Sequence, residues 1–462
     1  MKTAITNSKK ASKDFKRREF LKVSALTGLG VALAPNLVFG KPANTEKIRI
    51  GLIGVGERGR SHLGNLLRRD DVIVPAICDI DPDANEQSQN MITKAGQKKA
   101  VVYDKSEFAF LDLFAREDID AVIISTPWLW HTRMAVAGMK AGKRVGVEVS
   151  AANTLQECWD LVNTYEETGV PCMILENVCY RRDVMAVLNM VRQGIFGELA
   201  HCRCGYRHDL RGVKFYPGVT FGKGAEGEAK WRTQHSIYRN GDVYPTHGAG
   251  PIATMLNINR GNRFVSITST ATKARGLHDY IVNHPEGGKD HPNAKIKWKL
   301  GDVVTSLITT ANGETILVTH DTNLPRPYSL DFSVQGTKGL TDFDDHTKRI
   351  YIEGTSQPHR WDDMNEGWLK KYDHPLWKRY GEYAEGAGHG GMDFFVIHAF
   401  VESLKRNEQP PIDVYDAAAW SSITPLSERS IAYGGEPQPF PDFTRGRWVT
   451  NKPIFAVMGD EY

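Results

Sequence analysis

Hydrophobic and polar positions follow two different rhythms along this chain. From residue 48 to about 180, short apolar runs (IRIGLI, VIVPAICDI, DAVIISTP, RVGVEV, VPCMILEN) alternate with stretches whose apolar residues recur at helical spacing. Runs of this length read as strands buried on both faces, and the intervening stretches as helices that cover them, near 107–117, 131–141 and 154–168. Strand and helix in alternation give right-handed parallel βαβ units, hence a doubly wound sheet. Beyond about residue 180 the rhythm becomes every second residue, in HCRCGYRHD, RFVSITSTATKA, VVTSLITTANGETILVTHDT and YSLDFSVQGTKGLTDF. That alternation predicts a largely antiparallel open sheet with one packed face. Two amphipathic helices follow, in MDFFVIHAFVESLKRNEQPP and VYDAAAWSSITPLSERSIAYG, the first stopped by Pro410 and Pro411. The expected fold is α/β, with a Rossmann domain over 44–180 and an α+β domain over 181–462.

Ahead of these patterns, KRREFLK places Arg17 and Arg18 before an apolar stretch over 23–39 and small residues near Gly40, the layout of a twin-arginine export signal. Its apolar part is shorter than the about 20 residues of a membrane span. Residues 1–43 are therefore read as leader and linker, and the folded chain as exported to the periplasm or beyond, without a stable membrane anchor.

Composition narrows the partners. The chain is 41% hydrophobic and 24% charged with a formal charge of +3, and it has no basic stripe, charge block or low-complexity tract that points to nucleic acid or membrane as partner. Six scattered cysteines make no disulfide framework, and Cys202-x-Cys204 lacks the second pair or the histidines of a metal site, so no metal is expected.

The first folded segment carries the clearest chemistry. Gly54, Gly56 and Gly59 lie between an apolar strand and a helical stretch: the first permits the turn, the second lets a pyrophosphate approach the backbone, and the third lets the helix pack on the strand. A second strand ends at Asp79, about 20 residues beyond Gly59, where a carboxylate accepts hydrogen bonds from ribose hydroxyls and repels a 2′-phosphate. The expected cofactor is NAD. Strand ends face the ligand crevice in such sheets, which nominates Thr126, Trp128, His131, Glu148 and Asn177 as cofactor neighbours, with packing the competing role for Trp128 and Trp130.

The order of GVGERG, STPWLWH, GVEVS, QGTKGLTDF and GHGGMDFF resembles the glucose-fructose oxidoreductase, inositol dehydrogenase and rhizopine catabolism superfamily. Within it, GLIGVGERG, PWLWH, ENVCYRRD, YRHDLRG, KWRTQHS, YPTHGAGP and PRPYSLDF are similar to the NAD-dependent α-N-acetylgalactosaminidase family of glycoside hydrolases, over nearly the whole mature chain. Sugar dehydrogenases of the superfamily carry Glu-Lys-Pro where this chain has Glu148-Val149-Ser150, and the missing lysine argues against a plain dehydrogenase.

This resemblance implies hydrolysis of terminal α-linked N-acetylgalactosamine by oxidation at C3, elimination across C2 and C1, addition of water and reduction, with no net turnover of NAD. Such a self-resetting cycle suits a chain exported away from the cytoplasmic NAD pool. The resemblance also implies site residues. Glu57, Arg58, Leu129, Trp130, Val149 and Tyr244 would join the glycines, Asp79, Trp128, His131, Glu148 and Asn177 around the cofactor. His247, placed just before a helix start at Pro251, would be the main acid–base group, with capping or core packing as its alternative role. Tyr244 would lie near C3, Tyr180 would move the C2 proton, and Glu148 would partner either or hold the nicotinamide ribose. Tyr206, Arg232, Pro245, Thr246 and Tyr328 would contact the sugar, with His208 and Asp209 adjoining. Two other functions stay open: an exported NAD-dependent sugar oxidoreductase or transferase, and a non-catalytic carbohydrate-binding protein. A homo-oligomer is left open.

Overall fold

The parallel rhythm of the first segment becomes a seven-stranded sheet in the order β4-β3-β1-β5-β6-β7, with a short β2 on β1. The strands are β1 (Ile48–Ile53), β2 (Val72–Ile73), β3 (Ala76–Cys78), β4 (Val101–Tyr103), β5 (Ala121–Ile124), β6 (Arg144–Val147) and β7 (Cys172–Ile174). Every pairing in it is parallel. Ile50, Leu52, Val122, Ile123 and Val145 are fully buried, as strands covered on both faces require. The order reverses between β1 and β5, so the crevice at the strand ends opens there. The computed structural model describes residues 47–343, 346–457, 459 and 462; the twin-arginine leader lies outside the described residues.

Local chemistry sets the helix limits. The helix Leu155–Thr168 starts on a capping box between Thr154 and Glu157 and stops at Gly169 in the left-handed region. The helix expected over 107–117 is only Phe110–Phe114, because Ser106 Oγ accepts the Phe108 N–H and holds the preceding residues in a turn.

The second sheet has nine strands in the order β15-β14-β13-β12-β8-β11-β10-β9-β16. They are β8 (Leu199–Arg207), β9 (Phe264–Ala271), β10 (Val303–Thr310), β11 (Thr315–Asp321), β12 (Phe332–Gly336), β13 (Gly339–Phe343), β14 (Lys348–Ile352), β15 (Asp362–Asp363) and β16 (Gln438–Pro439). β8 and β11 run parallel and the remaining neighbours antiparallel. Along β10 the buried residues are Val304, Ser306, Ile308 and Thr310, the alternation of a sheet with one covered face. The helix Met392–Arg406 returns from this half to pack on the helix Glu57–Leu67, which follows the glycine turn. Residues 47–462 form one compact unit.

Candidate active site

At the end of β1, Gly54 turns with φ +80°, and a Cβ there would come within 2.6 Å of the Ser125 backbone. A Cβ on Gly59 would sit 2.0 Å from the Gly54 carbonyl oxygen, whereas one on Gly56 would meet nothing within 4 Å. The helix Glu57–Leu67 therefore packs hard on the turn, yet its N-cap Gly56 offers no capping side chain and leaves open space before the first N–H groups. Asp79 is fixed beside it, accepting the Val55 N–H at 2.7 Å and the Asp81 N–H at 2.9 Å, and each oxygen keeps a further lone pair. An open cationic helix end beside an anchored carboxylate fits a dinucleotide with a free ribose diol.

Next to this turn, buried charges are tied into one network. Arg58 reaches Glu148 at 2.6 Å and Asp393 at 2.7 Å, and His62 lies 2.6 Å from the same Glu148 oxygen. Asp393 also accepts from Asn177 Nδ2 at 2.8 Å and from Ser61 Oγ at 3.1 Å. Burial alone would raise the Glu148 carboxyl, but Arg58 and the bond from His62 hold it well below the usual carboxylate range. It stays charged, which suits a hydrogen-bond acceptor and not a group that carries protons.

The second sheet supplies the opposite wall. The helix Thr246–Met255 approaches closely because it lacks bulk: a Cβ on Gly248 would lie 2.7 Å from Gly205 N on β8, and one on Gly250 would crowd Trp420 and the Glu176 side chain. That approach sets His247 Nδ1 2.7 Å from Glu176 Oε1. Glu176 is fully buried and its Oε1 also accepts the Val178 N–H at 3.0 Å. A carboxylate on Nδ1 fixes the tautomer and leaves Nε2 as the working nitrogen. Around the imidazole, ring centroids lie 4.9 Å away for Tyr244 and 5.3 Å for Tyr206, and Tyr206 Oη meets His208 Nδ1 at 3.2 Å. Burial holds the Tyr206 phenol above its ordinary value and the Tyr244 phenol well above it, so both remain hydrogen-bond donors. A cavity of about 830 Å³ opens in front of Asn177, Tyr206, His208, His247, Tyr328 and His389.

Two family models match this chain: "Oxidoreductase family, NAD-binding Rossmann fold" over residues 48–176 and "Glycosyl hydrolase 109, C-terminal domain" over residues 180–450. The chain belongs to glycoside hydrolase family 109. Its first half is an NAD-binding Rossmann domain, and NAD is its cofactor. A protein of Tannerella forsythia named alpha-N-acetylgalactosaminidase is 51% identical, over 96% of this chain and 99% of that protein. A glycosyl hydrolase family 109 protein of Stenotrophomonas maltophilia is 52% identical over the same shares. Among solved structures, levoglucosan dehydrogenase in complex with NADH and levoglucosan is similar in fold, with a TM-score of 0.65 at 19% identity, over 86% of this chain and all of that one.

The family 109 chain brings together most of the residues that its sequence nominates. Tyr206, His247, Tyr328 and Asn177 line the cavity. Behind them, Trp128 stacks on Tyr244 at 5.5 Å, and the Arg232 guanidinium lies 4.8 Å from the Tyr244 ring and 5.0 Å from Trp128. Arg232 is buried on Glu228 and supports these rings without lining the cavity. His131 and Val149 are buried; both His131 ring nitrogens face carbonyl oxygens, of Ser150 and Thr126. Pro245 caps the His247 helix, and Thr246 buries its hydroxyl without a hydrogen-bond partner among the described residues. Glu57 is exposed at the helix start.

Several expectations need correction. Tyr180 does not face the cavity: its ring is fully buried against Phe395, Phe455 and Tyr462, and its hydroxyl has no partner among the described residues, which removes it from the C2 proton transfer. Trp130 packs edge-on against Phe108 and Phe110, the role that competed with cofactor contact for it, while Leu129 beside it is 56% exposed, as a side chain open to a cofactor can be. The helix expected to start at Pro251 starts at Thr246, so that His247 sits in its first turn. Glu176 and Asp393 were missed as partners of site residues. Glu176 stands at a strand end, immediately before the nominated Asn177, and that rule extends to it; Asp393 lies 216 residues from its partner Asn177, and only folding brings the two together.

Proposed function

We propose that this chain is an α-N-acetylgalactosaminidase that works through a retained NAD. The observation that carries this reading is the character of the cavity wall. Among the described residues its lining carboxylates are Asp183 and Asp373, and each is held by cations: Asp183 by Arg181 and Lys348 at 2.8 Å, Asp373 by Arg182 at 2.7 Å. Neither is a free acid of the paired-carboxylate kind that most glycosidases place across the bond. The group set for proton transfer is instead the imidazole of His247 on buried Glu176, beside the strand ends of the NAD-binding domain.

Bound NAD supplies a hydride acceptor for C3 of the terminal sugar and a hydride donor at the end of the cycle. His247 Nε2 takes and returns a proton on the sugar ring, with Glu176 stabilising the imidazolium. Tyr206 and Tyr328 orient sugar hydroxyls from the cavity wall. Glu148, kept charged by Arg58, serves as the fixed acceptor on the cofactor side. Export by the twin-arginine route, which carries folded proteins, goes with a cofactor that travels inside the chain.

The test uses purified protein, a nitrophenyl α-N-acetylgalactosaminide, deuterated water and no added cofactor. Nitrophenol should appear without net NADH, and the released sugar should carry deuterium at C2. A sugar that keeps only protium at C2 removes the elimination route.

A further inference from the structure

The cavity holds a second imidazole seated on a buried carboxylate. His389 Nδ1 lies 2.8 Å from Asp393 Oδ2, its side chain is 59% exposed, and it lines the same cavity as His247, while Asp393 is fully buried. The two pairs share one scaffold: Glu176 orients His247, and the next residue, Asn177, donates to Asp393 Oδ1 at 2.8 Å. Arg58 Nη1 and Ser61 Oγ donate to the same Oδ2 that His389 meets, so with Asn177 on Oδ1 both oxygens are tied and the carboxylate is held toward His389. The backbone is built around this placement. Gly388, His389, Gly390 and Gly391 have φ of +94°, +45°, +65° and +97°, and His389 is the one residue of the run with a side chain to strain.

The reaction proposed above needs two proton carriers, because a group that has just taken a proton from the ring is not the one to protonate the departing oxygen in the same step. Asp183 and Asp373 are ion-paired, Tyr180 is in the core, and His208 is engaged by Tyr206. We propose that His389 is the proton carrier for the glycosidic oxygen, an inference that rests on the glycosidase reading. His247 takes the C3 hydroxyl proton as C3 is oxidised and passes it to solvent; once it has then taken the C2 proton, the electron pair left behind forms the C1–C2 double bond as the C1–O bond breaks. The leaving oxygen keeps that bond's pair and takes the proton from His389 Nε2. Water then adds at C1 and gives a proton back to Nε2, while His247, whose N–H exchanges with solvent, gives a proton to C2 and then relays one from solvent to the C3 oxygen as C3 is reduced, so both imidazoles end as they began. Asp393, Arg58 and Glu148 are the charged groups facing His389, and Asp393 holds its imidazole above the ordinary value, against burial.

Leaving-group dependence tests this. In holoenzyme, His389→Asn, chosen because asparagine tolerates this φ, is compared with the parent on two substrates. One is N-acetylgalactosamine α-linked to a threonine peptide, whose alkoxide needs a proton to leave; the other is the nitrophenyl glycoside, whose phenolate does not. Turnover should fall about 10²-fold or more on the peptide and only a few-fold on the nitrophenyl substrate. The basic limb of the pH profile should vanish for the peptide alone, and copurified NAD should match the parent. An equal loss on both substrates, or no loss on either, overturns the proposal, as does a leaving-group-dependent loss in His208→Asn instead. If the parent releases neither aglycone, the glycosidase reading itself has failed and this proposal falls with it.

Discussion

The two sheets deliver side chains to the cavity by different routes. In the parallel sheet the chemistry sits where strands stop: Gly54 after β1, Asp79 after β3, Glu148 after β6, Glu176 and Asn177 after β7. In the mixed sheet the strand itself is a platform. Tyr206 stands near the end of β8 opposite His320 of β11, and its neighbours Tyr244, His247 and Tyr328 arrive from a loop, a helix and a second loop. A crevice at strand ends is a property of short turns, so it suits a cofactor whose binding is set by local backbone. A wall assembled on a strand face depends on pairing and packing between distant segments, which lets the substrate side vary on a constant frame.

Substitutions in the two regions should fail in different ways, and the largest effect belongs to the mixed-sheet wall. His247→Ala should lower turnover about 10²-fold or more while copurified NAD and the unfolding midpoint stay near those of the parent. Glu176→Gln keeps the shape but not the charge under the imidazole, and should cost about 10-fold. Turnover of His247→Ala within a few-fold of the parent would take the imidazole out of the chemistry.

On the parallel-sheet side, a matched pair separates packing from binding. Gly59→Ala puts a methyl 2.0 Å from the Gly54 carbonyl, so the helix must shift, at about 1–3 kcal/mol. Gly56→Ala puts a methyl into open space, where a dinucleotide backbone approaches. Both should lose copurified NAD, but only Gly59→Ala should also lower the unfolding midpoint markedly. Equal midpoints for the two would contradict the close helix packing that defines this turn.

The same contrast explains what was legible in the sequence. The parallel sheet, its glycine turn and Asp79 are written in contiguous residues, and the structure places them as read, with helix ends differing where a side chain such as Ser106 competes for the backbone. The mixed sheet was legible as alternation, and the motifs around Tyr206, His247 and Tyr328 fall on the cavity wall. Tyr180 was misplaced because its motif adjoins the strand end, whereas the direction of its ring is decided by Phe395, Phe455 and Tyr462, from the far end of the chain. The Asp393 network was not legible at all. It joins Arg58, Glu148 and Asn177 to a helix more than 200 residues downstream, and no local spacing encodes that contact.

The last effect leaves the chemistry untouched and tests the joint between the wall and its support. Asp242 precedes Tyr244 and is fully buried; it accepts the Tyr244 N–H at 3.1 Å, and its own N–H donates to Ser427 Oγ at 2.9 Å. Burial pushes its carboxyl up to about 7, offset only in part by the Tyr244 N–H. A carboxyl raised by folding binds more protons in the native state than in the unfolded state. Its contribution is therefore fully present at acid pH and is lost as pH rises toward about 7. Asp242→Asn keeps an acceptor for Tyr244 and removes the titration. The midpoint of the variant relative to the parent should thus climb from the ordinary carboxyl range up to about 7 and then level off. Thermal unfolding at a series of pH values measures that difference, and a gap that stays constant across the series would mean that Asp242 is not held protonated by its burial.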